Sequence, residues 1–177
     1  MRQAVTLVAG WLADPDDGIL ALLPGVPVLL GDAPPTVVAI RNEYADNIAA
    51  HRYVIGEADG EAEVCVLGNP TEHNEKVPIG SGSQQRQGDV EFIIRVEVRH
   101  EDGAQAQRQA DYLCNAVERC LRRFRKRVEA DRTLDGVTLH YPLSMTRGKN
   151  DAPMEDNILT AGVIAKWRFI DVQSEGV

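Results

Sequence analysis

Aromatic residues are scarce in this chain, at 5%, so its core has to be built mainly from Val, Leu, Ile and Ala. Cysteine offers no structural framework: Cys65, Cys114 and Cys120 form no CxxC pair. Cys114 and Cys120 fall on a stretch with helical periodicity, about 9 Å apart along the axis, which is beyond disulfide reach. An odd count with no framework predicts reduced, buried thiols and a reducing, cytosol-like compartment. No run approaches the ~18 consecutive apolar residues of a spanning helix, which argues against a membrane role. Positive charge is in deficit, with 19 Lys and Arg against 27 Asp and Glu and a formal net charge of -8. A phosphate-tracking surface needs a basic excess, so nonspecific binding to nucleic acid is disfavoured, and no specific nucleic-acid binding is expected.

Catalytic signatures are missing too. His51, His73, His100 and His140 are scattered, with no HExxH, HxH or Cys-His spacing that would hold a metal. His100-Glu101-Asp102 is a local acidic run that reads as a solvated turn with a capping Asp rather than a metal site. There is no GxSxG, P-loop or GxGxxG. Gly80-Ser81-Gly82-Ser83 lacks the lysine and the strand-loop-helix setting of a phosphate loop and reads as a connector. The acidic residues are many, but no pair can be placed together from sequence. No catalytic, cofactor-binding or metal-binding residue emerges, and no cofactor is implied.

What is present is an ordinary globular composition, 44% hydrophobic and 26% charged over 177 residues, which fits a single domain over 1–177. Val5, Leu7, Val8, Trp11 and Leu12 mark one face of a short amphipathic helix. The same stretch, 4–13, could open a signal peptide, but its helical spacing and the cap signal that follows favour a helix of the fold. Asp14-Pro15-Asp16-Asp17 reads as a stop and restart, with Asp14 capping a second short helix that carries Ile19, Leu20, Leu22 and Leu23. Weak strands are expected at 26–30 and 36–40, at a sheet edge where proline does least harm. Runs at 52–55 and 62–67 flank Asp59-Gly60, a hairpin signal. Residues 68–89 are rich in Gly, Ser, Asn, Gln and Pro and read as a long flexible loop, with a second polar loop at 143–157.

Two segments read clearly. Val90, Phe92, Ile94, Val96 and Val98 alternate with Glu91, Arg95, Glu97 and Arg99, the pattern of a strand with one buried face. Asp102 then caps a long helix over 105–128, whose Ala106, Ala110, Leu113, Val117, Leu121, Phe124 and Val128 fall on one stripe. Short strands follow at 137–141 and 162–172. Opposite the stripe, Arg119, Arg122, Arg123 and Lys126 crowd the helix's C-terminal half, flanked by Arg125 and Arg127. One reading is a solvated face whose cations suit the helix's negative end. The other is a docking surface for an acidic protein or for DNA, because like charges crowd at a cost without a partner.

These elements imply an α+β fold: a single, mostly antiparallel sheet packed against one long and one or two short helices. Their order also carries a resemblance. An N-terminal helix, an LADP break and a short Leu-rich helix come first. VEFIIRVEVRHEDG then runs straight into AQAQRQADYLCNAVERCL, and a closing strand, GVIAKWRFIDV, ends the domain. From about residue 5 to 172 this resembles the tail-terminator and tail-completion proteins of long-tailed bacteriophages. The resemblance implies a virion structural protein without catalytic residues, assembled in the host cytoplasm as a homohexameric ring at the head-proximal end of the tail. Its partners would be further copies of itself, a tail-tube protein and a head-connector protein, with room for DNA to pass through the ring. Another head–tail connector or neck protein is the alternative within that class. From a different class, the alternative is a small cytosolic enzyme or ligand-binding domain.

Overall fold

The computed structural model describes residues 2–26, 32–42, 55–76, 85–124, 133–134, 137–148, 154 and 156–172. In chain order these form α1 (Arg2–Leu12), α2 (Ile19–Leu22) with a 3-10 turn at Leu23–Gly25, β1 (Thr36–Asn42), β2 (Glu61–Lys76), β3 (Gln85–Arg99), α3 (Gly103–Phe124), β4 (Thr133–Leu134), β5 (Val137–Gly148) and β6 (Ile158–Val172). The strands make one sheet in the order β1-β2-β3-β6-β5-β4. The fold is α+β, as the element pattern predicts.

The sheet is mixed rather than mostly antiparallel. β1 pairs with β2 in parallel, and the other pairings run antiparallel. Residues 43–60 separate β1 from β2, and a connection of that length can cross over to a parallel neighbour, whereas a tight turn cannot. The edge position expected of the proline-flanked strand at 36–40 is observed. The Asp59-Gly60 turn is also real, with Gly60 in the left-handed region at φ 83°. It leads into β2 and is bonded to both neighbours: Thr36 N–H donates to the Gly60 carbonyl at 2.8 Å, and Gly60 N–H to that of Arg99 at 2.8 Å. The strand expected at 52–55 lies outside the described residues except for Ile55, which is in no strand.

The long loop expected at 68–89 is largely ladder. β2 continues to Lys76 and β3 begins at Gln85, with Asn74 opposite Asp89 and Lys76 opposite Gln87. On its other side β3 pairs with β6 from Gln85–Val172 onward. Backbone hydrogen bonding on a preformed neighbour holds this stretch, so it needs no apolar alternation. The expected loop at 143–157 is likewise shortened, because β5 pairs with β6 as far as Gly148 opposite Gly162. The strand expected over 26–30 is not observed at Val26, the one described residue of that run.

The helices cover one face of the sheet. Ala62, Val64 and Val66 of β2, Val90, Phe92, Ile94, Val96 and Val98 of β3, and Val163, Ala165 and Trp167 of β6 share the core with α3. Alternation on β3 therefore places the apolar set as expected. On α3 the buried set is wider than one stripe and adds Gln109, Tyr112, Cys114, Ala116 and Cys120. The reason is that α3 meets α1 and α2 as well as β3 and β6. Trp11 stacks on Phe124 at 5.0 Å between ring centroids and tilts against Trp167 at 5.3 Å, tying α1, α3 and β6 together.

Two caps organise the helical layer. Asp102 Oδ1 accepts from the N–H groups of Ala104 at 2.8 Å and Gln105 at 3.4 Å, as its sequence position predicts. Asp14 instead caps a separate turn, accepting from Asp16 and Asp17 at 2.9 and 2.8 Å. The second helix itself begins only at Ile19, with Gly18 at its N-cap position. A Cβ at Gly18 would lie 2.3 Å from the Asp14 carbonyl oxygen. Gly18→Ala is therefore expected to cost about 1–3 kcal/mol through backbone displacement, measurable by urea denaturation.

Candidate functional site

The basic face of α3 is the site the sequence points to. Arg119, Arg122 and Arg123 all lie on the exposed side of the helix. Each is engaged within the chain. Arg119 Nη1 donates to the Gly25 carbonyl at 2.8 Å. Arg122 Nη2 pairs with Glu118 at 3.2 Å, one helical turn back. Arg123 Nη1 reaches Asp17 Oδ1 at 2.6 Å. The acidic Asp14 turn and the end of the 3-10 turn thus sit beside the helix's basic end. Exposed pairs of this kind contribute little to stability, and the Arg122 and Arg123 side chains stay 63% and 52% exposed. Lys126, with Arg125 and Arg127, lies outside the described residues.

A second cation, missed in sequence, binds the same helix from the other side. Arg147 of β5 pairs with Glu118 Oε1 at 2.6 Å and also bonds Asn115 Oδ1. Glu118 therefore stands between Arg122 and Arg147, which tempers the crowding of like charge.

The most concentrated chemistry lies on the sheet's opposite face. Glu63 of β2 stands directly across from Glu97 of β3, and Cys65 across from Arg95. Glu63 and Glu97 are buried, at 0% and 1% exposure. Arg41 Nη2 of β1 reaches Glu63 Oε1 at 2.6 Å, and Arg95 Nε lies 3.2 Å from Glu97 Oε1. Burial first, then the hydrogen bond with Glu63, push the Glu97 carboxyl up to about 8, against the opposing pull of Arg95. Sequence could not show the pair, since 63 and 97 meet only through strand register.

The remaining candidates are structural. All three cysteines are buried and in no disulfide, as the sequence leads one to expect. Burial pushes Cys114 up to about 12 and raises Cys65 as well, so neither is an activated nucleophile. In the His100-Glu101-Asp102 run, His100 Nδ1 accepts from Asp102 N–H at 3.0 Å while Asp102 caps α3. Among the described residues no group of His, Cys, Asp or Glu could hold a metal ion. A shallow groove lined by Ala13, Leu20, Val37, Val38, Ala39 and Ile40 has no charged lining. No helix among the described residues is long and apolar enough to cross a membrane. Gly80-Ser81-Gly82-Ser83 lies outside the described residues.

No protein-family model matches the chain, and no curated protein matches it significantly.

Proposed function

We propose that this chain is a structural subunit of a phage tail, a tail-terminator or tail-completion protein that rings the head-proximal end of the tube. The observation that carries the reading is the length of the central strands relative to the long helix. Strands β2, β3 and β6 have 16, 15 and 15 residues, whereas α3 has 22. At about 3.3 Å and 1.5 Å per residue, strands of about 50 Å outreach a helix of about 33 Å. Segments 68–76 of β2 and 85–89 of β3 have no large apolar side chain, whereas the β6 stretch opposite 85–89 carries Phe169, Ile170 and Val172. A polar arm like that of β2 and β3 suits contact with neighbours in an assembly more than closure over a small ligand. The element order behind the resemblance supports the same reading.

In this reading the positive face of α3, with Arg119, Arg122 and Arg123, docks an acidic neighbour, Lys126 adding charge beyond the helix's last described residue, and the four set encounter and register. The test is native mass spectrometry of the purified chain, alone and with tail-tube protein. A hexamer mass, in either sample, is the expected result, and a monomer in both would overturn the proposal. In head–tail joining with purified components, reversing the four cations to Glu should abolish joining while circular dichroism stays native. Wild-type joining should weaken as salt rises.

A further inference from the structure

We infer that Glu63 and Glu97 share a single proton in the folded chain, making the β1–β2–β3 side of the sheet a latch that alkali loosens. The inference starts from register. Directly opposed side chains on antiparallel strands have Cβ atoms about 5 Å apart, so two carboxyls placed there must either share a proton or repel. Solvent cannot screen them, because both are buried.

The surrounding charges decide which carboxyl keeps the proton. From β1, Arg41 faces the pair and gives Glu63 a short contact at 2.6 Å. From β2, Cys65 faces it as a neutral thiol, its proton held by burial. From β3, Arg95 faces it at a longer 3.2 Å. From β6, the positions opposite Glu97 and Arg95 are Thr160 and Gly162, which carry no charge. Of these two contacts, the one to Glu63 is the shorter. Glu97 Oε2 is buried with no hydrogen-bond donor in reach among the described residues. Two ionised carboxylates have no hydrogen between them, whereas a proton on Glu97 lets it donate to Glu63 and removes the like-charge contact.

The sign of the pH dependence follows. The folded Glu97 holds its proton up to about 8 against an ordinary value of 4.5. Through that window the native state binds a proton that the unfolded chain has released. Stability is therefore highest at the acidic end, falls as pH rises through the window, and levels off above it.

The experiment is a carbon-detected NMR titration of glutamate side-chain carboxyls in the full chain, from about pH 5 to about pH 9, with thermal melts over the same range. One carboxyl should titrate near the alkaline end in the wild type and be missing in Glu97→Gln. That variant mimics the protonated state, so its melting temperature should fall less across the window than the wild type's. In Glu63→Gln the like charge is gone, and the high midpoint should drop. Complete ionisation of every glutamate below about pH 6 in the wild type would overturn the inference. So would a Glu97→Gln profile parallel to the wild type's. Should Glu97→Gln not fold, the wild-type titration and Glu63→Gln decide the matter between them.

Discussion

Trp167→Ala is expected to remove about 3–5 kcal/mol of folding stability, the range for deleting a large buried aromatic side chain. Trp167 is at 0% exposure and packs against Trp11, which in turn stacks on Phe124. The substitution would open a cavity where α1, α3 and β6 meet, so no single element can move to fill it. Trp167→Phe should cost much less. It keeps most of the apolar contact and removes a buried indole N–H that has no hydrogen-bond partner among the described residues. Equilibrium urea denaturation of the three proteins, with tryptophan fluorescence and circular dichroism compared, measures both effects. If the alanine variant lost under about 1 kcal/mol, Trp167 would have to sit at the periphery of the core.

Arg41→Ala should have a comparable effect for a different reason. Its guanidinium is 11% exposed and lies 2.6 Å from Glu63, whose side chain is fully buried. Removing the cation breaks the short contact of a fully buried carboxylate, a change that typically costs about 3–5 kcal/mol. The loss reflects a buried charge deprived of its closest cation more than the net worth of the pair. For that reason Arg41→Met combined with Glu63→Leu should recover most of it, since well-packed apolar replacements of a buried pair are often neutral or stabilising. A double-mutant cycle by urea denaturation supplies the comparison. Additive losses in the double variant would show that Arg41 and Glu63 act independently, contrary to their geometry.

The latch and the polar arm belong to different parts of the same strands. β1 pairs with β2 only between Glu61 and Val66, which is where Arg41, Glu63 and Cys65 lie. Beyond Val66, β2 runs on beside β3 to Lys76. Loosening at the Glu63–Glu97 pair would thus act at the root of the arm on which the proposed assembly role depends.

Local sequence determined the elements whose code is local. Period-two alternation from Val90 to Val98 marks a strand because one face is buried and the other is not. The spacing of Ala106, Leu113, Val117, Leu121 and Phe124 marks a helix, and Asp102 starts it, because a cap acts within three residues. The Arg119, Arg122 and Arg123 face was legible for the same reason. Tertiary structure decided what depends on distant partners. Residues 68–76 and 85–89 are strand because β6 and the hairpin's own ladder bind their backbones, a cause invisible in their polar side chains. The parallel direction of β1 depends on where residues 43–60 carry the chain. The partners Gly25 and Asp17 of the basic face are set by helix packing, whereas Glu118, one turn back on α3, is local. Above all, Glu63 and Glu97 become one titrating unit only when register brings two strands together, since hydrogen bonding between backbones, and no property of either glutamate, places them opposite each other.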